Sequence, residues 1–380
     1  MTVDINKNTF DEKTLLKLEI FRECFREWYP VFLRNPYFDK VQVMDMFAGS
    51  GTDTDDNLGS PLIFLDEIKG KDSNFCLQAD LTSRKIRFWF NEFEKPKAEE
   101  LNQNVHSFIK ECEKECSMNT CYFKNKIEIT SQKFEDIFKS KEFVNIATDR
   151  KIAKFLVLDQ YGFKEVGDDI FKRLIEYPSM DSIFYITTSA VRRFQEQDAV
   201  KKYFESNDIN FDEENPKLAH RHMANYYRSL LPANKEFYVH HFSILKRSNR
   251  YGLIFCTNHT YGMEKFLEVC WRKDIYAGES DELINNDWTK DTLFSSIEPS
   301  QKKRMVKEDI QKQILNGNIN DNKTGLKYSL KQGCLGDVYF EAVKELLDKE
   351  KISIDGKFNR IKKLIHRIKE KDIYKIKVSQ

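Results

Sequence analysis

The chain has 380 residues, with 62 Lys+Arg balancing 61 Asp+Glu, 40% apolar residues and 32% charged ones. That length suits two domains or one large one, and the composition excludes both a disordered chain and a membrane-embedded one. No apolar run approaches the ~18 residues that span a bilayer, and Met1–Phe10 lacks a signal-type apolar stretch, so a cytoplasmic chain is expected.

Lys13–Leu33 places Leu15, Leu16, Leu18, Phe21, Cys24, Phe25 and Trp28 at helical spacing and predicts an amphipathic helix within an N-terminal segment, residues 1–40. Val41–Phe47 reads as a buried strand that ends in Ala48-Gly49-Ser50-Gly51. An acidic, polar loop over Asp53–Leu58 follows. Ser60-Pro61 pairs a capping residue with a proline at the first helical position, and Leu62, Ile63, Leu65 and Ile68 carry a short helix after it.

Ile86–Phe90 is the next predicted strand, ending at Asn91-Glu92, and Pro96–Lys110 is a helix. Lys126–Thr130 and Ala153–Leu158 are further strands, the second ending at Asp159-Gln160-Tyr161-Gly162. Asp181–Thr187 repeats the pattern, and Phe237–Leu245 with Tyr251–Thr257 forms a closing antiparallel hairpin. Alternating strands and helices over residues 41–285 predict an α/β fold whose sheet is mostly parallel. From about Asn286 the pattern changes to helices joined by polar turns: Gln301–Leu315, then a helix with Val338, Tyr339, Ala342, Val343, Leu346 and Leu347 on its apolar face. A strand and turn at Lys349–Gly356 follow, so residues 290–380 have the outline of a winged-helix-like α+β domain.

Three residue types need weighing. The eight cysteines include the cluster Cys112, Cys116 and Cys121, but it lacks the C-x2-C spacing and the fourth ligand usual for zinc, and buried, incidental thiols are favoured over a metal site. His220, His222, His240 and His241 fit no usual ligand spacing. His240 and His241 are adjacent on a strand and are expected on opposite faces, so no metal is expected. Lys357–Lys377 holds nine basic residues against two acids, an excess of +7. A solvated helix face is the ordinary reading of such a run; a surface for phosphate or an acidic partner is the other, with Lys362, Lys363 and Arg367 as its candidates. Arg192-Arg193, after the fifth strand, divides evenly between gripping phosphate and decorating a helix.

In open α/β sheets ligands bind at the carboxyl ends of the strands. Those ends carry Asp45 and Ala48–Gly51, then Glu92, then Ser131-Gln132, then Asp159–Gly162. A carboxylate at the end of the second strand suits a ribose diol, since one anion accepts from both hydroxyls.

This ordered set resembles class I S-adenosylmethionine (SAM)-dependent methyltransferases. Val43-Met-Asp-Met-Phe-Ala-Gly-Ser-Gly51 resembles their first motif, with Asp45, Gly49 and Gly51 in register; Phe47 stands where many members have another glycine, but a Phe-Ala-Gly-x-Gly form is familiar among nucleic-acid methyltransferases, which keeps Phe47 and Ala48 among the implied cofactor residues. Phe90-Asn-Glu92 resembles the second motif, with Glu92 as the ribose acid. Ile129-Thr-Ser-Gln132 sits where the family often has an Asp for the adenine amine, and the Gln132 carbonyl can accept the same hydrogen bond. The implied fold is Rossmann-like, with SAM as cofactor.

A closer resemblance is to the three-Cys-motif partner family. It rests on Asp45–Gly51 with its inserted loop, Gly59-Ser-Pro-Leu62, Asn91-Glu-Phe-Glu94, Leu158-Asp-Gln-Tyr-Gly162, Tyr251–His259 and the segment Gly336–Gly356. It implies a protein partner of radical-SAM-like type. Nucleobase amino-methyltransferases carry Asp/Asn-Pro-Pro-aromatic at the fourth motif, where the acid orients the target amine and the ring stacks on the base, so rate comes from orientation. Asp159 and Tyr161 match the acid and the aromatic, while Gln160 replaces the rigid proline. The expected function is therefore methyl transfer to DNA or RNA. The alternatives are a non-catalytic SAM- or nucleotide-binding subunit and an interaction protein with an empty pocket.

Overall fold

A computed structural model describes residues 9–69, 86–115, 121–160, 162–204, 209, 211, 216–282, 300–356, 358 and 365–379. Its central sheet contains β1 (Lys40–Asp45), β2 (Ile86–Asn91), β3 (Ile127–Thr130), β4 (Ile152–Leu158), β5 (Met180–Ile186), β6 (Tyr238–Lys246) and β7 (Asn249–Thr257). The order is β3-β2-β1-β4-β5-β7-β6. Strands β1 to β5 pair in parallel, and β7 runs antiparallel to both β5 and β6. This is the mostly parallel, Rossmann-like α/β architecture with an antiparallel closing strand that the sequence predicts. The expected hairpin is present, but its second strand inserts between the first and the rest of the sheet.

Strand periodicity explains why the sheet is covered on both faces. Along β4, Ala153, Phe155 and Val157 enter one apolar core, and Leu156 and Leu158 enter the other. In β1, Val41 and Val43 join the first core while Met44 joins the second. The first core is closed by α1 (Glu12–Arg34), α2 (Ser60–Lys69) and α3 (Lys95–Glu115). The second is closed by α4 (Phe134–Lys139), α5 (Lys141–Thr148), α6 (Asp168–Glu176), α7 (Thr188–Phe194), α8 (Asp198–Lys201) and α9 (Ala219–Ser229). Helix α10 (Thr260–Lys273) returns to the first face.

Helix α1 matters most for the site because it lies across the sheet. Asp11 caps it by accepting from Thr14 N at 2.9 Å, and Phe25 and Trp28 pack on Phe155 of β4 at ring separations of 5.6 and 5.1 Å. Trp28 Nε1 donates to the buried Asp181 at 2.7 Å, an anchor between residues 153 apart in sequence. Lys265, Arg272 and Lys273 of α10 pair with Glu19, Glu23 and Glu27 along one side of α1. Pro30 lies inside the helix, one turn before its end.

The C-terminal region contains α11 (Gln301–Leu315), α12 (Asn322–Lys331) and α13 (Gly336–Asp348), then β8 (Ile352–Asp355) and β9 (Lys375–Val378) in an antiparallel pair. Its Ile310, Leu326, Tyr339 and Ile352 belong to the same core cluster as α1 and β1. Trp271 Nε1 also donates to Gly333 O at 3.0 Å, and Glu264 accepts from Ile365 N and His366 Nδ1, each at 2.9 Å. The basic stretch Lys357–Lys377 is not a single helix. Its described part consists of two 3-10 turns and β9, with Lys375 and Lys377 paired to Asp321 and Asp355.

Candidate functional site

Asp45 ends β1, and its side chain is completely buried. Oδ1 accepts from Phe47 N at 3.1 Å, while Oδ2 is buried without a hydrogen-bond partner. Burial pushes its carboxyl up to about 7, against the opposing pull of Ser60 and the Phe47 N–H. The chain then turns through Gly49 and Gly51, at φ of +63° and +90°. These are left-handed values that glycine adopts without strain. At Gly51 a Cβ would also stand 2.9 Å from Leu101 Cδ1 on α3. Gly59 N donates to Gly51 O at 2.7 Å, closing the inserted loop on itself.

The interior of that loop is organised by Asp53, which accepts from Phe10 N at 2.6 Å and from Asp55 N and Asn57 N at 2.9 and 2.8 Å. Burial favours its neutral form, but these donors outweigh it and hold the carboxyl below its ordinary range. The Phe10 bond fastens the segment leading into α1 against the loop.

Glu92 stands just past β2 and is half-buried. Its Oε2 accepts from Gly49 N at 3.0 Å and its Oε1 from Glu94 N at 2.9 Å, so the carboxylate locks the glycine turn to the neighbouring strand. A carboxylate offers about four acceptor sites, so two remain. Ala48 N donates to Asn91 O at 2.9 Å. The Asn91 side chain is buried and fully used: Nδ2 donates to Met46 O and Gln132 O, and Oδ1 accepts from Gln132 N and Thr130 Oγ1. It joins the ends of β1, β2 and β3. Gln132 thus has a fixed backbone, and the residue itself is exposed. Phe47 is half-buried against Phe134, with rings 5.4 Å apart.

Asp159 follows β4 at the next strand end. Its Oδ2 accepts from Lys17 Nζ in a short ion pair, with 16% and 12% of the two side chains exposed. The same ammonium lies 4.9 Å from the centre of the Tyr185 ring, which stacks on Tyr251 at 4.8 Å and 2°. Lys13 pairs with Asp281, and Lys246 with Asp11, so the first turns of α1 are clamped beside the strand ends. Gln160 is buried; Oε1 accepts from Glu165 N at 2.8 Å and Nε2 has no partner. Tyr161, Lys362 and Lys363 lie outside the described residues, as does the side chain of Arg367.

Four adjacent strand ends therefore bring together Asp45, the Gly49–Gly51 turn, Glu92, Gln132 and Asp159. Lys17, Asn91, Tyr185 and Tyr251 join them without having been singled out from the sequence. Asn91 left a faint signal, as a polar residue ending an apolar strand. Lys17 left none, being one lysine among the polar positions of an amphipathic helix. His240 and His241 face opposite sides of the edge strand β6, as expected: the His240 ring packs on Phe266 of α10 at 6.1 Å, and the ring of His220 on α9 is 4.8 Å from His241. Burial pushes His220 and His240 far down and His241 to about 4. Arg193 donates to Asn249 on the β7 side of this region.

No family model matches the chain, and no curated protein matches it. Among solved structures, Trm1 from Pyrococcus horikoshii with S-adenosyl-L-methionine is 12% identical at a TM-score of 0.35, covering 68% of this chain and 59% of its own. TYW2 of M. jannaschii in complex with AdoMet is 10% identical at a TM-score of 0.29, covering 67% and 79%. The Escherichia coli protein yhhF is 12% identical at a TM-score of 0.30, covering 63% and 86%. These are distant likenesses, and the reading of the site rests on this chain's own residues.

Proposed function

We propose that the chain is a SAM-dependent methyltransferase acting on nucleic acid, with a nucleobase amino group as the favoured acceptor. What supports the reading is the set Asp45, Gly49–Gly51, Glu92 and Asp159 at the carboxyl ends of adjacent parallel strands. The residues fit the cofactor on three counts: two left-handed glycines bare the turn, Glu92 keeps acceptor sites for a diol, and Asp45 carries a buried oxygen without a partner. Asp45, Phe47, Ala48, Gly49 and Gly51 would hold SAM at the turn, with Glu92 at its ribose and Gln132 at its adenine. When bound, SAM supplies an electrophilic methyl group.

The chain's own contribution is orientation. Asp159 uses Oδ2 for Lys17, which leaves Oδ1 to accept from a target amine and aim its lone pair. Tyr161 is the aromatic surface for the base. The described residues within 300–379 include three α-helices and a two-stranded sheet, which supports a winged-helix-like domain; Lys362, Lys363 and Arg367 are its proposed contacts to DNA or RNA. Membership of the three-Cys-motif partner family, and with it a radical-SAM-like protein partner, belongs to the same proposal.

A second reading, a non-catalytic SAM- or nucleotide-binding subunit, is favoured by one observation. Gln160 replaces a rigid proline beside Asp159, and its side-chain oxygen is committed to Glu165 N. Mass spectrometry of the purified protein for SAM or S-adenosylhomocysteine tests cofactor binding, which both readings share. Labelled methyl transfer to total RNA and DNA then separates them: incorporation supports the enzyme, and none in a SAM-binding protein supports the subunit.

A further inference from the structure

His220, His241 and Glu279 come from α9, β6 and the turn after α10, and their ligand atoms all lie within 4.8 Å of one another, fully buried. We propose that this trio binds a divalent transition-metal ion of the zinc class, as a structural clasp remote in sequence from the strand-end motifs. Neither nitrogen of His220 has a hydrogen-bond partner, and His241 has only the long contact of its Nε2 with Glu279. A neutral imidazole needs a partner for one donor and one acceptor, so this is an unusual concentration of unmet polar groups. A metal ion satisfies an acceptor nitrogen on each ring at once.

The spacing of one ligand pair, His241 and Glu279, suits a metal better than a hydrogen bond, while the bound of 4.8 Å on the trio means that the ligands draw together when the ion binds. His241 Nε2 and Glu279 Oε2 are 3.6 Å apart, beyond hydrogen-bond range. Two ligands on a tetrahedral zinc with bonds of about 2.0–2.1 Å stand roughly 3.4 Å apart. The carboxylate is also preorganised. Asp274 accepts four backbone N–H groups, from Tyr276, Ala277, Glu279 and Ser280. The turn is strapped to the edge of β6 by Ser243 N to Glu279 O at 2.7 Å and Asp281 N to Ser243 O at 3.1 Å.

Two cations already touch Glu279, and the site must accommodate them. Arg221 binds Oε1 through Nε and Nη2, which is the outer-shell bond that orients a ligating carboxylate. Lys302 Nζ is 3.3 Å from Oε2 but only 2.8 Å from Ala277 O, a bond that can hold it when Oε2 turns to a metal. Two imidazoles and a carboxylate, without thiolate, are a zinc-type donor set with a fourth position left for water. Because Lys302 belongs to α11, the ion would stiffen the junction between the sheet edge and the C-terminal helices.

The test uses full-length protein stripped with a chelator and titrated with CoCl2 and then ZnCl2. The proposal expects one Co2+ per chain with visible d–d bands of a four- or five-coordinate site, displaced by Zn2+, and a rise of several degrees in Tm. His220→Gln and His241→Gln, checked for folding by circular dichroism, should each weaken binding by ~100-fold or more, above the 10–100-fold of outer-shell changes. Three results would overturn it: no stoichiometric binding by wild type, unchanged affinity in both folded variants, or an intense sulfur-to-cobalt band placing the ion on cysteines.

Discussion

Asp45→Asn isolates the electrostatics at the head of the candidate site. The carboxyl is completely buried, one oxygen lacks a partner, and burial raises its pKa to about 7. An Asp in the unfolded chain titrates near 4. The folded protein therefore binds this proton more tightly than the unfolded one. The resulting stability is complete below pH ~4 and is lost as pH rises to 7. Between pH 5 and pH 8 about two units of the shift are lost, which at ~1.4 kcal/mol per unit is about 3 kcal/mol. Asparagine keeps the shape and does not titrate. Urea denaturation at the two pH values should show the variant gaining about 3 kcal/mol relative to wild type on going from pH 5 to pH 8. Asp181, pushed up to about 6 by burial, titrates in the same window but is common to both proteins and cancels. A stability difference that is the same at both pH values would refute the reasoning, whatever its sign.

Gly51→Ala combines a left-handed backbone with a Cβ 2.9 Å from Leu101, and should cost about 1–3 kcal/mol in urea denaturation. Glu92→Ala should weaken SAM binding about ten- to a hundredfold by calorimetry, the expected loss for a buried diol left without its acceptor; unchanged affinity in a folded variant would remove Glu92 from the cofactor site. Asp159→Ala should abolish labelled methyl transfer with SAM affinity nearly intact, because the interaction belongs to the acceptor and the transition state. If the basic tail binds phosphates, reversing Lys362, Lys363 and Arg367 to Glu should flatten the salt dependence of nucleic-acid binding, by about 0.7–0.9 in log–log slope for each phosphate no longer neutralised. Filter binding at two salt concentrations measures it.

The strands are legible in the sequence to within one or two residues at their ends. Val41–Phe47, Ile86–Phe90 and Ala153–Leu158 correspond to β1, β2 and β4 because a buried strand has a local signature, an apolar run ended by Gly, Asn or Asp. Gly49 and Gly51 are legible for the same reason: a left-handed turn leaves its mark in the residues that form it. The motif order along the chain then predicts which residues stand at neighbouring strand ends.

Other decisions depended on the tertiary structure, because they join residues far apart in sequence. Lys17 meets Asp159 across 142 positions, and nothing in the periodicity of α1 distinguishes it from any solvated lysine. Asn91 completes its four bonds only when β1 and β3 flank β2. His220, His241 and Glu279 come from a helix, an edge strand and a turn, so no ligand spacing exists to be read. The insertion of β7 between β5 and β6 was equally hidden, since a hairpin pattern specifies which two strands pair but not which of them faces the sheet. Local patterns encode local geometry; the charge pairs and clusters that define this site depend on packing between distant elements.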